Sequence, residues 1–270
     1  MTNIGLTGST GSLGKTLLKN KTEFKIFCFK GDIRNRYQIQ KWLNKNDINI
    51  IIHLAAIVPI INVNKNRKKA YEVNYLGTKN LVDLSIHKKI KWFFFSSTSH
   101  VYQSSKNKIL ETNKKKPISF YGKTKYMAEN YIIKKFKKEN IQYCIGRIFG
   151  TANKNQKKNY LIPDLKRKIK NTNKRIILRN LNHYRDFISM NDISKIIFYL
   201  CKKKYKGILN IASGKKIYLK DIAKVILKKY KKKNYIFIDN NHQTSLIGNI
   251  TKLKRIKNFK IYSSIEKLIF

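Results

Sequence analysis

Acidic residues are scarce in this chain: 14 Asp and Glu stand against 60 Lys and Arg, which gives a formal net charge of +46 in 270 residues. Such a balance is typical of proteins that bind nucleic acids or anionic membranes. The lysines are spread through every predicted helix, however, and no RNA-binding or helix-turn-helix signature is present. The chain is rich in Lys, Asn and Ile, as A/T-rich coding sequences are. We therefore interpret the charge as compositional bias and expect no specific nucleic-acid partner, although an anionic substrate would benefit from the positive field.

Cysteine is also rare, and Cys28, Cys144 and Cys201 each lie in an apolar stretch. This odd, scattered set argues against a disulfide framework or a zinc site and indicates reduced core thiols. Long apolar runs are lacking, because residues 50–61 and 92–95 are too short to span a bilayer. Since no charged leader with an apolar stretch and a cleavage site is visible, we expect a cytoplasmic protein without secretory signal, membrane span or metal.

Strand and helix patterns alternate along the chain, which predicts an α/β fold with a doubly wound, Rossmann-type parallel sheet. We expect a dinucleotide-binding domain over residues 1–150, joined by residues 184–212, and a smaller mixed α/β substrate-binding part over residues 151–270. Strands are predicted over residues 2–6, 24–29, 49–54, 90–97, 141–149, 175–179, 207–212 and 235–238. Helices are predicted over residues 15–19, 36–45, 67–87, 120–139, 160–171, 192–203 and 219–230, followed by two short helices.

A glycine-rich turn with Gly8, Gly11 and Gly14 joins the first strand to the first helix. Gly8 permits a tight turn, Gly11 leaves room for a pyrophosphate beside the backbone, and Gly14 lets the helix pack closely against the strand. The free N–H groups at the start of the helix then favour the phosphate charge. The alternative is an ordinary glycine-rich turn, but the position between a strand and a helix favours dinucleotide binding.

A proton-transfer group is indicated by Tyr121 and Lys125, which share one helix face four residues apart. A lysine ammonium beside a phenol would lower the pKa of that phenol and make Tyr121 a general acid/base. In a chain with so many Tyr and Lys residues this spacing alone carries little weight. The missing partner is Thr98, which directly follows the strand predicted over residues 90–97, at the sheet edge where such folds bind ligands. We interpret the nearby His100 as a loop residue rather than a base.

The chain resembles the extended short-chain dehydrogenases/reductases, and within them the nucleotide-sugar epimerase/dehydratase/reductase branch, over nearly its whole length. Each motif is weak alone, but their order is specific. The motifs are Gly8-x-x-Gly11-x-x-Gly14, Asp32-Ile33, His53-Leu54-Ala55-Ala56, Asn74-x-x-Gly77-Thr78, Ser96-Ser97-Thr98, Tyr121-x-x-x-Lys125, Arg185-Asp186-Phe187-Ile188 and Asn210-Ile211-Ala212-Ser213-Gly214.

The resemblance implies catalytic roles for Thr98, Tyr121 and Lys125, and substrate contacts for Thr98, Tyr121 and Arg185, which would reach the substrate's phosphates. It implies a nucleotide-sugar substrate, a place in cell-surface polysaccharide biosynthesis, and a homodimer as the candidate assembly. The implied cofactor-binding residues are Gly8, Thr10, Gly11, Ser12, Leu13, Gly14, Asp32, Ile33, Leu54, Ala55, Ala56, Asn74, Ser96, Tyr121 and Lys125.

The chain departs from that family in three places. Between the first helix and Gly31-Asp32 only one strand fits where the family usually has two strands and a helix. The acid that normally takes the adenosine ribose is not evident, and the cations Lys30, Arg34 and Arg36 stand nearby, so we favour NADP(H) slightly over NAD(H). Ser99-His100 replaces the Asp-Glu pair of the 4,6-dehydratases, which counts against dehydration. The turn that contacts substrate phosphate begins with Arg147 but departs from the family's Arg-Phe-Asn pattern.

The sequence therefore predicts an NAD(P)-dependent enzyme acting at C4 of a nucleotide-linked sugar. It leaves a 4-keto reductase and a 4-epimerase open. The alternative from another class is a non-catalytic NAD(P)-binding regulatory protein of the same fold. The intact set of Thr98, Tyr121 and Lys125 argues against that alternative, because a sensor need not retain all three.

Overall fold

Six parallel strands form the central sheet of the computed structural model, which describes residues 2–153, 156, 159–172, 174–261 and 269. This confirms the predicted parallel sheet. In spatial order the strands are β10 (Gly207–Ile211), β5 (Gln142–Ile148), β4 (Trp92–Thr98), β3 (Ile50–His53), β1 (Asn3–Thr7) and β2 (Lys25–Cys28). The chain crosses over between the neighbouring strands β1 and β3, and such a switch point opens a ligand crevice at the carboxyl ends of the strands.

Helices cover both faces of this sheet, which explains why its central strands are apolar without alternation. Along β3, Ile50 and Ile52 pack into one core with Leu17, whereas Ile51 packs into the other core with Phe136. The helices around the sheet are α1 (Ser12–Lys19), α2 (Arg36–Lys45), α3 (Ile60–Lys65), α4 (Arg67–Tyr71), α5 (Gly77–His87), α6 (Phe120–Lys138) and α8 (Met190–Lys202).

The long helix predicted over residues 67–87 contains one turn of π-helix, Glu72–Leu76, between α4 and α5. Single π turns inside helices are rare and are often found at functional sites. The first residue of α5, Gly77, packs closely against the loop after β2, because an added Cβ would lie 2.6 Å from Cγ2 of Ile33. One residue of the π turn, Val73, lines the crevice.

Smaller sheets form beside the carboxyl end of the central sheet. Their strands and two helices enclose a separate apolar core that includes Ile169, Leu178 and Ile226. Two of these sheets have two strands each: β6 (Gly150–Ala152) pairs with β9 (Phe187–Ser189), and β7 (Ile176–Arg179) pairs with β12 (Tyr235–Ile238). In the third sheet, β8 (Tyr184–Arg185) lies between β11 (Ile217–Tyr218) and β13 (Ser245–Leu246). The remaining helices are α7 (Leu161–Asn171), α9 (Leu219–Lys229) and α10 (Thr251–Ile256).

Most predicted elements are present within a few residues of the expected bounds, and α2 and β12 match them. The sheet ends at β2, so the prediction of a single strand after α1 is confirmed. Helix α1 begins at Ser12 rather than at residue 15, and α3 was not predicted. The second of the two short helices expected at the end of the chain falls largely outside the described residues. Among those that are described, no helix is long and apolar enough to cross a membrane.

Candidate active site

A cleft of about 1240 Å³ opens at the carboxyl ends of the central strands, where the switch point predicts it. The cleft brings together all of the sequence-predicted cofactor, catalytic and substrate residues except Asn74. It also receives residues that sequence reasoning did not assign, above all His100 and Tyr160.

The glycine-rich turn forms one wall of the cleft. Gly8 has a φ of 75°, which L side chains rarely adopt, and an added Cβ would lie 2.6 Å from the backbone nitrogen of Ala55. A Cβ on Gly14 would collide with the carbonyl oxygen of Gly8. At Gly11 the nearest atom to an added Cβ is that same oxygen, 3.2 Å away, so a larger side chain there would extend into the free space of the cleft.

The start of α1 is suited to bind an anion. Gly11 caps the helix without any side-chain hydrogen bond, so the first N–H groups are available to a ligand. The first turn contains no acidic residue that would compete for the positive end of the helix dipole. The glycine-rich turn leaves space beside the backbone, and the start of α1 has free N–H donors. Together these two features fit the pyrophosphate of a dinucleotide.

The end of the cleft next to β2, where the sequence predicts the adenosine of the cofactor, contains one acid, and that acid is already paired. Asp32 accepts from the Nε and Nη2 atoms of Arg34, with Nη2 only 2.6 Å from Oδ2, and this hydrogen bonding lowers the pKa of Asp32. The other amino group of Arg34 donates to Glu72 at 2.9 Å. Arg36 lies near Asp83, 3.6 Å away. Arg34 and Arg36 do not themselves line the cleft, and each has a carboxylate beside its guanidinium. Their expected contribution to binding a 2′-phosphate stays a prediction.

Lys30 is the third cation predicted near this end. It lines the cleft, is exposed, and makes no ion pair or side-chain hydrogen bond within the described chain. An unpaired ammonium at the end of β2, where the family usually has an acid, is compatible with a phosphate on the adenosine ribose.

The proposed catalytic side chains converge from two elements. Thr98 ends β4, while Tyr121 and Lys125 lie on the first turns of α6. The start of α6 is capped by the hydroxyl of Ser119, which accepts a hydrogen bond from the Gly122 N–H at 3.1 Å. Lys125 is buried, with its Nζ atom 4.0 Å from the centre of the Phe95 ring. All three side chains line the same wall of the cleft.

The electrostatics of this group differ from the sequence-based expectation. Burial raises the pKa of Tyr121, the neighbouring Tyr160 adds to the rise, and a hydrogen bond with Thr98 opposes it. Burial also lowers the pKa of Lys125 to about 7, although the charge of Glu129 opposes that change. Desolvation therefore decides the direction for Tyr121, and the lowering that was expected from Lys125 is not found. The phenol is therefore protonated at neutral pH.

Asn74 lies behind this wall in the π turn. It is fully buried, and its side chain accepts from the Ile57 N–H at 2.7 Å and donates to the Ile57 carbonyl at 3.3 Å. It also approaches the Thr124 hydroxyl, 3.4 Å away, which in turn donates to the carbonyl of Tyr121 at 2.8 Å. Asn74 thus connects the loop after β3 to the helix that carries Tyr121 and does not itself face the cleft.

A buried histidine continues this connection toward the glycine-rich turn. The hydroxyl of Thr78 donates to the backbone carbonyl of Asn74 at 2.8 Å, so Nε2 of His53 must be the donor in its 2.9 Å contact with Thr78. Nδ1 of His53 then accepts from Thr7 at 2.6 Å. Burial, with a contribution from the charge of Lys125, lowers the pKa of His53 to about 3, which keeps the ring neutral.

The far end of the cleft is formed by Arg185 and His100. Arg185 donates to two backbone carbonyls, those of Tyr184 at 2.7 Å and Thr244 at 3.1 Å, and to the Thr244 hydroxyl at 2.9 Å. It has no carboxylate partner within the described residues, so its charge remains available to an anion. The adjacent Asp186 does not face the cleft, because its carboxylate accepts from Ser213 and from neighbouring backbone N–H groups.

Arg147 does not line the cleft, unlike the phosphate-contacting turn in the family. Its guanidinium is buried against Glu129, 2.7 Å from Nη2 to Oε2, and also donates to the hydroxyl of Tyr102 at 2.8 Å. Ser97 completes the group with a short hydrogen bond to Glu129. This cluster supports the sheet behind Thr98 rather than a ligand.

Two features of the cleft escaped the sequence analysis. Tyr160 precedes α7 and faces Tyr121, and Asn159 donates to Asn62 of α3 at 3.3 Å across the cleft. The only sequence signal would have been polar and aromatic residues at the start of a helix in the least regular part of the chain.

Comparison with known proteins agrees with this geometry. The model of the NAD dependent epimerase/dehydratase family matches residues 15–212. GDP-6-deoxy-D-talose 4-dehydrogenase of Aggregatibacter actinomycetemcomitans is 30% identical over 269 residues, covering 93% of this chain and 90% of that protein. The dTDP-4-dehydro-6-deoxyglucose reductase of Escherichia coli is 26% identical over 285 residues, covering 93% and 89%. The structure of RMD from Pseudomonas aeruginosa complexed with NADPH has a TM-score of 0.90 at 18% identity, covering 100% and 96%.

Proposed function

The chain belongs to the NAD dependent epimerase/dehydratase family, and we propose that it is a nicotinamide-dependent reductase of a nucleotide-linked 4-keto sugar. The observation that carries this proposal is the convergence of Thr98, Tyr121 and Lys125 on one cleft, between a phosphate-binding turn and Arg185. The names of the two relatives, a 4-dehydrogenase and a 4-dehydro sugar reductase, support action at carbon 4.

The residues at the two ends of the cleft would position the reactants. The N–H groups at the start of α1 would hold the cofactor's pyrophosphate over Gly11, and Lys125 would hold the ribose next to the nicotinamide. Arg185 would pair with the phosphates of the nucleotide sugar, because its charge is not used by any described carboxylate. When bound, the nicotinamide supplies the hydride for the reacting carbon.

Proton transfer would be the task of Tyr121. Its raised pKa keeps the phenol protonated, so it starts as a donor to the oxygen that gains negative charge during reduction. Thr98, hydrogen-bonded to the phenol, would hold the same oxygen in place. The two relatives that match most of this chain are named a 4-dehydrogenase and a 4-dehydro sugar reductase, which is our reason for preferring a reductase to an epimerase.

The test is an assay of purified protein with GDP-, dTDP- and UDP-linked 4-keto sugars, each with NADPH and with NADH. Oxidation of the cofactor is expected with at least one of these substrates. Tyr121→Phe is expected to cut turnover by about 10²–10⁴-fold, because it removes the hydroxyl that transfers the proton. Cofactor affinity should be nearly unchanged, because the aromatic ring is kept.

Tyr126→Phe is the matched control, because Tyr126 lies on the same helix outside the cleft. Turnover of Tyr121→Phe close to that of the unaltered protein would remove Tyr121 from the mechanism. Protein that purifies with tightly held NAD and interconverts two sugar epimers without consuming reduced cofactor would replace the reductase with a 4-epimerase.

A further inference from the structure

A second tyrosine, Tyr160, faces the proposed catalytic tyrosine and has no role in the mechanism above. Its side chain lines the cleft, and its phenol lies close enough to that of Tyr121 to contribute to the raised pKa of Tyr121. The hydroxyl of Tyr160 makes no hydrogen bond within the part of the chain that the structure describes. It is therefore available to a ligand that also contacts Tyr121.

The backbone around Tyr160 is held in place on both sides. Tyr160 directly precedes α7, and its carbonyl accepts from the N–H of Asp164 at 3.0 Å. The carboxylate of Asp164 accepts in turn from the N–H of Asn159 at 3.2 Å, and the side chain of Asn159 donates to Asn62 at 3.3 Å. Helix α7 itself packs into the separate apolar core through Ile169. The phenol is thus presented to the cleft from an anchored helix start.

The chemistry of this phenol favours a hydroxyl as its partner. Burial raises the pKa of Tyr160, so the phenol is neutral at neutral pH and can both donate and accept a hydrogen bond. The apolar residues Ile61 and Leu161 line the cleft near it. Covering an unpaired hydroxyl with an apolar group of a ligand is costly, whereas a ligand hydroxyl in the same place would satisfy it.

We propose that Tyr160 is a specificity-determining residue, which binds the hydroxyl on carbon 3 of the sugar and thereby selects 4-keto sugars that keep this hydroxyl. This inference rests on the proposed function, in which Thr98 and Tyr121 hold the oxygen on carbon 4. Of the two neighbouring carbons in a hexopyranose ring, carbon 3 carries a hydroxyl, whereas carbon 5 carries the ring oxygen and carbon 6. The 3-hydroxyl is therefore the group nearest to the ketone that both donates and accepts, as the phenol of Tyr160 does.

The experiment measures kcat/KM for the unaltered protein and for Tyr160→Phe, each with the 4-keto nucleotide sugar that the enzyme reduces and with its 3-deoxy counterpart. Either change alone is expected to lower kcat/KM by about 10-fold or more, because it leaves a phenol or a sugar hydroxyl without its partner. Both changes together should cost little more than either alone, since the same hydrogen bond is lost. The control is Tyr230→Phe, directly after α9 and outside the cleft, which should leave kcat/KM with both sugars unchanged.

The outcomes separate this inference from the proposed function. If the unaltered protein reduces the 3-hydroxy and 3-deoxy sugars equally well, or if Tyr160→Phe loses the same factor with both, the role of Tyr160 is overturned and the reductase stands. The comparison with the 3-deoxy sugar needs no variant, so it does not depend on how Tyr160→Phe folds. A loss in Tyr160→Phe that disappears only for sugars without a 6-hydroxyl would assign the phenol to carbon 6 and overturn its assignment to carbon 3. Absence of reduction with every 4-keto sugar tested would overturn the proposed function and this inference with it.

Discussion

Replacing Arg147 by Met tests whether the buried cluster behind Thr98 is structural. The guanidinium is 1% exposed and Glu129 is 0% exposed, and three N–H···O contacts of 2.7–3.2 Å join them. Removing the arginine would leave the carboxylate of Glu129 buried without its counter-charge and would deprive the hydroxyl of Tyr102 of a donor. Breaking such a pair typically costs about 3–5 kcal/mol, a large share of the roughly 5–15 kcal/mol by which domains are stable. Urea unfolding followed by circular dichroism should show this loss.

The double variant Glu129→Leu/Arg147→Met tests whether the unpaired charge is the cause of this loss. Because it removes both charges, it is expected to be more stable than Arg147→Met alone, since the charge left unpaired, and not the lost contact, is the main cost. Arg179→Met, at an exposed position in β7, is the matched control and should change stability little. A loss below about 1 kcal/mol for Arg147→Met would refute the structural role of the cluster. A loss of nucleotide-sugar affinity with stability unchanged would show that Arg147 contacts the substrate instead.

Further predictions concern the glycine-rich turn and Lys30, which both line the cleft. Gly11→Val should abolish dinucleotide binding in calorimetry while the protein stays folded, whereas Gly14→Ala should lower the melting temperature because its Cβ meets the backbone of Gly8. Undiminished affinity in Gly11→Val would place the phosphate site elsewhere. NADPH should bind at least as tightly as NADH at low salt, and this preference should weaken as salt rises and disappear in Lys30→Met. A preference unchanged in Lys30→Met would exclude that lysine as its source.

The parts of the site that could be predicted are those set by local sequence. The glycines of the first turn and the four-residue spacing of Tyr121 and Lys125 follow from backbone geometry alone, and Thr98 follows from its place at a strand end. The ordered motifs then specify the family, because several weak local patterns in one order rarely coincide by chance.

The parts that could not be predicted depend on partners far along the chain. The ion pairs of Arg34 were not predicted, because one of its two partners, Glu72, lies 38 residues away in the chain. The pKa of Tyr121 was expected to fall, yet the desolvation of its own phenol raises it. Spacing says which side chains share a helix face, but it does not say how much water each retains.

The high charge of the chain is a separate matter from the chemistry of the cleft. Of the 60 lysines and arginines, Lys30, Lys125 and Arg185 are the ones that line it in the described structure. The others act on a ligand there only at a distance, and salt screens such fields over about 10 Å at 0.1 M. Their effect should therefore be on how fast an anionic ligand arrives at the cleft. If the proposed function holds, Arg185 would instead set how tightly the phosphates of the nucleotide sugar are held once it is bound. The high positive charge can thus speed the arrival of an anionic substrate without changing the residues proposed for the reaction.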